Sequence, residues 1–302
     1  MEMPLCPDCE FSPIILGEIP QCQSFAGRLV PDSLERSDLY KCRNCTLGFR
    51  WPILRKESLD NLYFSGSDDA WNNAQTERFD WRFAANFVRS KLPRGNRILD
   101  LGCYMGDFLS SIATDYECAG VEINSAAVRS ACSRGIDIIG NDFTKLVGSY
   151  NCITAFDVIE HVESPRAFLE NCLKHVVPGG YIIVSTGNFE SFTFELMKSK
   201  YWYAVVPEHI AFIAPSWFRK LTCSLSFEII DLQFFSRRNG SLITKIRESM
   251  ANLLYKFLPN LFAMLRRLGF GNIKTDGNQR LILFPPGWGS AIDHFIIVLR
   301  RI

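Results

Sequence analysis

The chain has 302 residues, 47% of them hydrophobic and only 22% charged, enough apolar matter for one catalytic core and a small appendage. With 33 basic and 32 acidic residues the formal charge is +1, which excludes a global electrostatic pull toward nucleic acid or an anionic membrane and confines any such partner to a local patch. The opening MEMPLCPDCE carries no leader pattern and no apolar run reaches the ~20 residues that span a bilayer, so a cytoplasmic location is expected, and the odd count of 11 cysteines speaks for reduced thiols over a disulfide framework.

In chain order, residues 1–62 are expected to form a small module. Cys6-Pro-Asp-Cys9 and Cys42-Arg-Asn-Cys45 are two C-x-x-C knuckles, and their four sulfurs are the donor set of a closed, structural tetrahedral zinc site; Cys22 is left over. Residues 63–302 follow as the main domain. A helix is predicted over 70–92, ending at Pro93, and then apolar strands at 97–101, 118–122, 136–140, 150–157 and 180–186 alternate with helices near 106–115, 124–134 and 165–176. This alternation predicts a doubly wound, Rossmann-like α/β sheet covered on both faces. Strands at 227–235 and 293–300 are too far apart for a hairpin, so a helical insertion is expected at about 240–290.

The first strand ends in Asp100-Leu-Gly102-Cys-Tyr104-Met-Gly106, where a tight turn lets backbone N–H groups approach a ligand. Glu122 ends the next strand, placed to accept from two ribose hydroxyls, and Asp142-Phe143 follows the third, placed for an adenine amino group and ring. A glycine pair alone also serves turns in other Rossmann-like domains. The GxGxxG spacing of NAD-linked dehydrogenases is absent.

These runs, with FDVIEHVESPRAFLENCLKHVVPGGYIIVSTGN, EHIAFIAPSWFRKL and DHFIIVLRR, resemble the class I S-adenosylmethionine-dependent methyltransferases of the ubiquinone-biosynthesis-like (type 11/23) group. The resemblance implies a seven-stranded sheet with one antiparallel strand, S-adenosylmethionine as cofactor, and methyl transfer to a nucleophile. Asp100, Gly102, Tyr104, Gly106, Glu122, Asp142, Phe143 and Asp157 are the expected cofactor contacts, with Tyr104 standing where the group usually has glycine. The cysteine module resembles the N-terminal zinc-ribbon of bacterial methyltransferases of glycan, sugar and natural-product pathways, implying a small-molecule, sugar or glycan acceptor.

Acceptor chemistry is expected beyond the fourth strand. Asp157, Glu160 and His161 share one face of a helical turn, and His209 lies downstream beside Glu208. Asp157, Glu160, His161 and His209 can bind a divalent cation that holds an acceptor hydroxyl, a pattern similar to E-x-x-E-H…H of small-RNA 2′-O-methyltransferases, with Asp157 in place of the first Glu. Alternatively His209, oriented by Glu208, is a general base for O- or C-methylation, as in sugar C-methyltransferases with a cysteine-rich N-terminal domain. A catalytically silent methyltransferase-fold binding protein is the reading from a different class. Tyr201, Trp202, Tyr203, Phe212 and Trp217 either stack on the acceptor or pack the core, whereas His175 and His294 read as structural. In the insertion, Ile243, Ile246, Met250, Leu253, Phe257, Leu261, Leu265 and Leu268 form one helical stripe, flanked by Lys245, Arg247, Lys256, Arg266 and Arg267 and broken at Pro259. A lid, a homodimer contact, or peripheral contact of 241–270 with a membrane or lipid-linked acceptor all use such a stripe. No feature calls for nucleic acid.

Overall fold

In the computed structural model, which describes residues 3–21, 24–25, 28–29, 36–53, 78–268 and 284–302, the chain opens with β1 (Pro13–Ile19), β2 (Ser24–Phe25), β3 (Arg28–Leu29), β4 (Ser37–Cys42) and β5 (Gly48–Trp51). β1 pairs antiparallel with β4, and β4 with β5. Cys42 closes β4 and Cys45 lies in the turn into β5, which carries them to Cys6 and Cys9: the Sγ pairs Cys6–Cys45 and Cys9–Cys42 are each 3.5 Å apart. Tetrahedral zinc with bonds of ~2.3 Å places its sulfurs about 3.8 Å apart, so the quartet can hold zinc. Cys22, the expected domain boundary at 62/63 and residues 70–77 of the expected helix lie outside the described residues.

The described chain resumes at α1 (Phe79–Lys91), then β6 (Arg97–Leu101), α2 (Asp107–Ser110), β7 (Glu117–Val121), α3 (Ser125–Ser133), β8 (Asp137–Gly140), β9 (Tyr150–Phe156), α4 (Pro165–His175) and β10 (Val176–Gly187). Next come α5 (Phe192–Met197), α6 (Trp202–Val205), β11 (Ala211–Phe212), α7 (Pro215–Leu221), β12 (Phe227–Phe235), α8 (Leu242–Phe257), α9 (Pro259–Arg267) and β13 (His294–Arg301). The seven-stranded sheet has the order β12-β13-β10-β9-β6-β7-β8, parallel except for β13, which runs antiparallel to both neighbours. Its centre is covered on both faces: Ile98 and Leu99 of β6 and Phe295 to Leu299 of β13 are fully buried, as continuous apolar strands require. The order reverses between β6 and β9, opening a crevice beyond their carboxyl ends. The expected helix over 106–115 is only α2: Ser111 Oγ turns back to Phe108 O, and Ile112 N–H donates to Leu109 O, a tighter turn that ends the α-helix.

The cysteine module does not stand apart. β11, from the main domain, pairs antiparallel with β5 and completes the small sheet in the order β1-β4-β5-β11. Arg50 of β5 is buried; its N–H donates to Ile210 O and its guanidinium to the carbonyls of Ala204, Val206 (3.1 Å) and Pro207 (3.4 Å). Asp8, inside the first knuckle, accepts from Trp217 Nε1 (2.8 Å), from Ser164 Oγ (3.1 Å) and from Arg166 N (3.2 Å) at the start of α4. Burial raises its carboxyl above the ordinary value, against the pull of these donors.

The insertion forms α8 and α9, separated at Pro259 as expected. They dock through Tyr255, Phe262 and Ala263, not through the expected stripe: Ile243, Ile246, Met250, Leu253, Phe257, Leu261 and Leu268 are exposed, so the stripe is not the packed side of a lid. No helix among the described residues is long and apolar enough to cross a membrane.

Asp8→Ala leaves all four cysteines in place but orphans the buried Trp217 N–H. The expected result is an unchanged zinc content and a loss of about 1–3 kcal/mol in urea unfolding at fixed zinc concentration; an unaltered midpoint would show that the knuckle does not anchor the domain.

Candidate functional site

Three residues of the turn after β6 take left-handed backbone: Gly102 (φ 70°), Tyr104 (φ 48°) and Gly106 (φ 76°). A Cβ at Gly102 would sit 2.7 Å from Val158 Cγ2, so glycine is required there for both space and conformation. Tyr104 thus keeps the glycine-type backbone with a side chain that disfavours it by roughly 1–2 kcal/mol. Glu122 holds it there, accepting from Tyr104 N (2.8 Å) and from Asn124 N (2.7 Å), while Asn124 caps α3. Asp100 is buried at the end of β6, where its carboxylate accepts from Thr154 Oγ1 (2.7 Å). Burial first, then the nearby Glu122 and Asp80 charges, raise it to about 7 against the Thr154 hydrogen bond and the Arg78 charge. Asp142 caps the turn at 143–145 through Thr144 N, and the Phe143 ring meets Phe168 edge-on.

S-adenosylmethionine fits this crevice on charge. Its sulfonium and ammonium are cations, and the buried carboxylates of Asp100 and Glu122 stand at the carboxyl ends of β6 and β7. Asp100 has a hydroxyl, not a cation, as its hydrogen-bond partner.

Asp157, just beyond β9, departs from expectation. Its carboxylate accepts from Arg78 and from Arg237, each at 2.8 Å, on a backbone with φ 55°. Burial alone would raise its pKa, but the Arg237 and Arg78 guanidiniums outweigh that and hold the carboxyl well below the usual range. With both oxygens engaged by cations, Asp157 is not the fourth ligand of a cation site.

The other three expected ligands converge. One donor atom each from Glu160, His161 and His209 lies within 4.8 Å of the others, and the two imidazoles are 5.0 Å apart. His161 Nδ1 bonds to Glu208 O and His209 Nδ1 to Tyr203 O, each at 2.8 Å, which leaves the lone pairs on Nε2. So His209 is oriented by a Tyr203 carbonyl and not by the Glu208 side chain; Glu208 contributes its backbone oxygen to His161. Glu160 is fully buried and accepts from Tyr203 OH (2.7 Å) and Thr186 Oγ1 (2.9 Å), its carboxyl raised by burial and by the Asp157 charge. Burial and then the His161 charge push His209 well below its ordinary value.

Tyr201, Tyr203, Phe212 and Trp217 are core residues, whereas Trp202 lines a cavity. That cavity, about 260 Å³, lies beside Asp157 and is lined also by Arg78, Arg237, Arg238, Trp288 and His294. His294, expected to be structural, accepts from Arg237 Nε at Nε2 (2.8 Å) and bonds through Nδ1 to Asp293 (2.7 Å). Sequence reasoning missed the three arginines; the available signal was the Arg237-Arg238 pair immediately after a strand. His175 bonds to Gly148 O, remote from these groups.

A doubly wound sheet with a single antiparallel strand, and acidic groups gathered where a sulfonium cofactor sits, is the architecture of the class I S-adenosylmethionine-dependent methyltransferases. The chain belongs to the family Methyltransf_23, a methyltransferase domain, matched over residues 75–232, more than half its length. It is similar to the ubiquinone biosynthesis O-methyltransferase of Burkholderia vietnamiensis, at 27% identity over 156 residues that cover 46% of this chain and 67% of that protein. The protein of the same description from Vibrio cholerae serotype O1 is 27% identical over 145 residues, 42% of this chain and 59% of that one. The chain thus spans between 59% and 67% of the length of these relatives. Among solved structures, a chain from the Haloferax volcanii complex of the Trm112 methyltransferase activator with a methyltransferase superposes with a TM-score of 0.52 at 13% identity, covering 82% of this chain and 98% of that one. That likeness concerns the fold alone.

A bound cation favours the charged form of Asp100. Its carboxyl should therefore release a proton when S-adenosylmethionine binds near neutral pH, and affinity should rise with pH until about 7, where the free protein's Asp100 ionises, then level off. Calorimetry in buffers of different ionisation enthalpy reads the proton release. Asp100→Asn should abolish it and weaken binding about tenfold or more; a flat pH profile in the parent protein would contradict the assignment.

Proposed function

We propose that this methyltransferase methylates an acceptor hydroxyl of a sugar, glycan or secondary metabolite, with Glu160, His161 and His209 as the groups that prepare the hydroxyl. The observation that carries this reading is the convergence of one carboxylate and two imidazoles, both fixed through Nδ1 by backbone carbonyls. A divalent cation held by these three residues would supply Lewis acidity that lowers the hydroxyl's pKa. The chain's own groups do the rest. Carbonyl hydrogen bonds set the imidazole tautomers, Tyr203 and Thr186 steady the Glu160 carboxylate, and the depressed pKa keeps His209 neutral and open to coordination at neutral pH. The same depression weighs against His209 as general base for C-methylation, because a base with a pKa well below 6.5 takes a proton poorly from a hydroxyl or a carbon acid. His161 is the half-buried member, the side from which an acceptor approaches. The names of the curated relatives, O-methyltransferases of ubiquinone biosynthesis, support oxygen as the methylated atom.

The test is S-adenosylhomocysteine release on a panel of hydroxyl acceptors, with the methylated atom located by NMR. Mild chelation that spares the cysteine-bound metal should cut turnover about 10–100-fold and added divalent cation should restore it, while His161→Ala, His209→Ala and the double variant each lose activity and the one bound equivalent of Mn²⁺ yet keep cofactor binding. Undiminished turnover in the chelated protein and in the double variant would refute the reading.

A further inference from the structure

The cavity beside Asp157 borders the cofactor side through Asp80 and Asp157, its lining includes none of Glu160, His161 and His209, and its chemistry is distinctive. Arg78 uses Nε and Nη2 on Asp80 and Asp157, and Arg237 uses Nε on His294 and Nη2 on Asp157. Neither Nη1 has a hydrogen-bond acceptor among the described residues, and the exposed Arg238 has no side-chain partner among them. Among the described residues three guanidiniums therefore line a cavity with two carboxylates, Asp80 and Asp157, an excess of one positive charge. Two of the three heads are immobilised in advance: Arg78 by a fork onto Asp80, and Arg237 by a buried chain through His294 and Asp293 to Tyr201. Fixed guanidiniums with unused N–H groups suit a flat or tetrahedral oxyanion and lose little entropy in binding it. Trp202, Phe235 and Trp288 contribute ring faces, and about 260 Å³ accommodates a single substituted ring.

We propose that this cavity is the acceptor subsite and that the acceptor bears an oxyanion, a carboxylate or a phosphate ester, held by Arg237 and Arg238 while its ring lies against Trp202 and Trp288. The location rests on the hydroxyl-methylation reading; the anion selectivity does not. A neutral acceptor would leave the arginine N–H groups without acceptors in a half-buried wall, and the site would discriminate against it for that reason. Asp157 orders the two inner arginines and, with Asp80, balances their charge, so the excess positive charge of the cavity is that of Arg238.

Binding to the whole zinc-loaded chain, saturated with S-adenosylhomocysteine, tests this without requiring turnover. Phenyl phosphate, benzoate and benzyl alcohol share a ring and differ in charge, and their dissociation constants are measured by NMR titration. At least one anion should bind about tenfold or more tighter than the alcohol, the tighter of the two identifying phosphate or carboxylate. Arg238→Gln should remove most of that advantage, Arg238→Lys should restore part of it, and S-adenosylhomocysteine affinity should stay as in the parent. Equal binding of the three probes, or an anion preference untouched by Arg238→Gln in a protein that still binds S-adenosylhomocysteine, would overturn the proposal. Anion selectivity in a protein whose turnover ignores chelation would strike the cation reading and leave the subsite standing.

Discussion

One buried guanidinium ties the two halves of the molecule together. Arg50 reaches from the small sheet into the main domain and gathers the carbonyls of Ala204, Val206 and Pro207, the stretch that leads into His209. Carbonyl oxygens that end a short helix need donors, and a charged donor with a fixed fork satisfies several together. Tyr203 sits at the near end of the same stretch: its carbonyl sets the His209 tautomer, and its hydroxyl bonds to Glu160. The four-cysteine quartet thus acts on the candidate site through β5. Metal bound by the quartet stabilises a sheet too small to form a core alone, and that sheet in turn fixes a catalytic-domain loop.

Asp157 performs the second organising task. It stands at the switch point of the sheet, a place where a ligand is expected, yet its carboxylate is committed to two arginines drawn from the start of α1 and the end of β12. Removing either arginine would leave a mostly buried charge short of a partner, which is far more costly than the pair is stabilising. The consequence is geometric. Asp157 is held away from Glu160 and the imidazoles, so a cation bound as proposed above would have these three residues as its protein ligands and keep positions open for an acceptor oxygen.

Much of this was legible in the sequence where the signal is local. The apolar run at 97–101, the glycine turn after it, Glu122 at the end of the next strand and the two C-x-x-C knuckles each depend on spacing within a few residues, and each is found in the expected element. What was not legible depends on long-range closure. Arg50 bonds to carbonyls more than 150 positions away, and a backbone acceptor leaves no residue-type signature. Arg78 and Arg237 meet on Asp157 from opposite sides of the chain, and the Asp8 contact with Trp217 crosses most of its length. The insertion shows a different failure. The apolar stripe was visible, but periodicity reports only that a face is apolar, and the body is met instead by a neighbouring face bearing Tyr255 and Phe262.

Charge is divided across the mouth of the sheet in a way that matches the reaction. Asp100 and Glu122 make the cofactor side negative, and Arg237 with Arg238 make the far side positive, with the Arg78–Asp80 pair and Asp157 on the border. A sulfonium suits the first side and the anionic acceptor proposed above suits the second, so with such an acceptor the field would order both reactants before any contact of reacting atoms. In-line transfer then destroys the sulfonium's charge. The thioether product loses part of the attraction that held the cofactor, while the acid cluster is left with like charges crowded in a low-dielectric site. The arrangement therefore favours bound S-adenosylmethionine over its product, and the raised pKa of Asp100 supplies the relief: once the cation is gone, that carboxylate takes up a proton near neutral pH and quiets the repulsion.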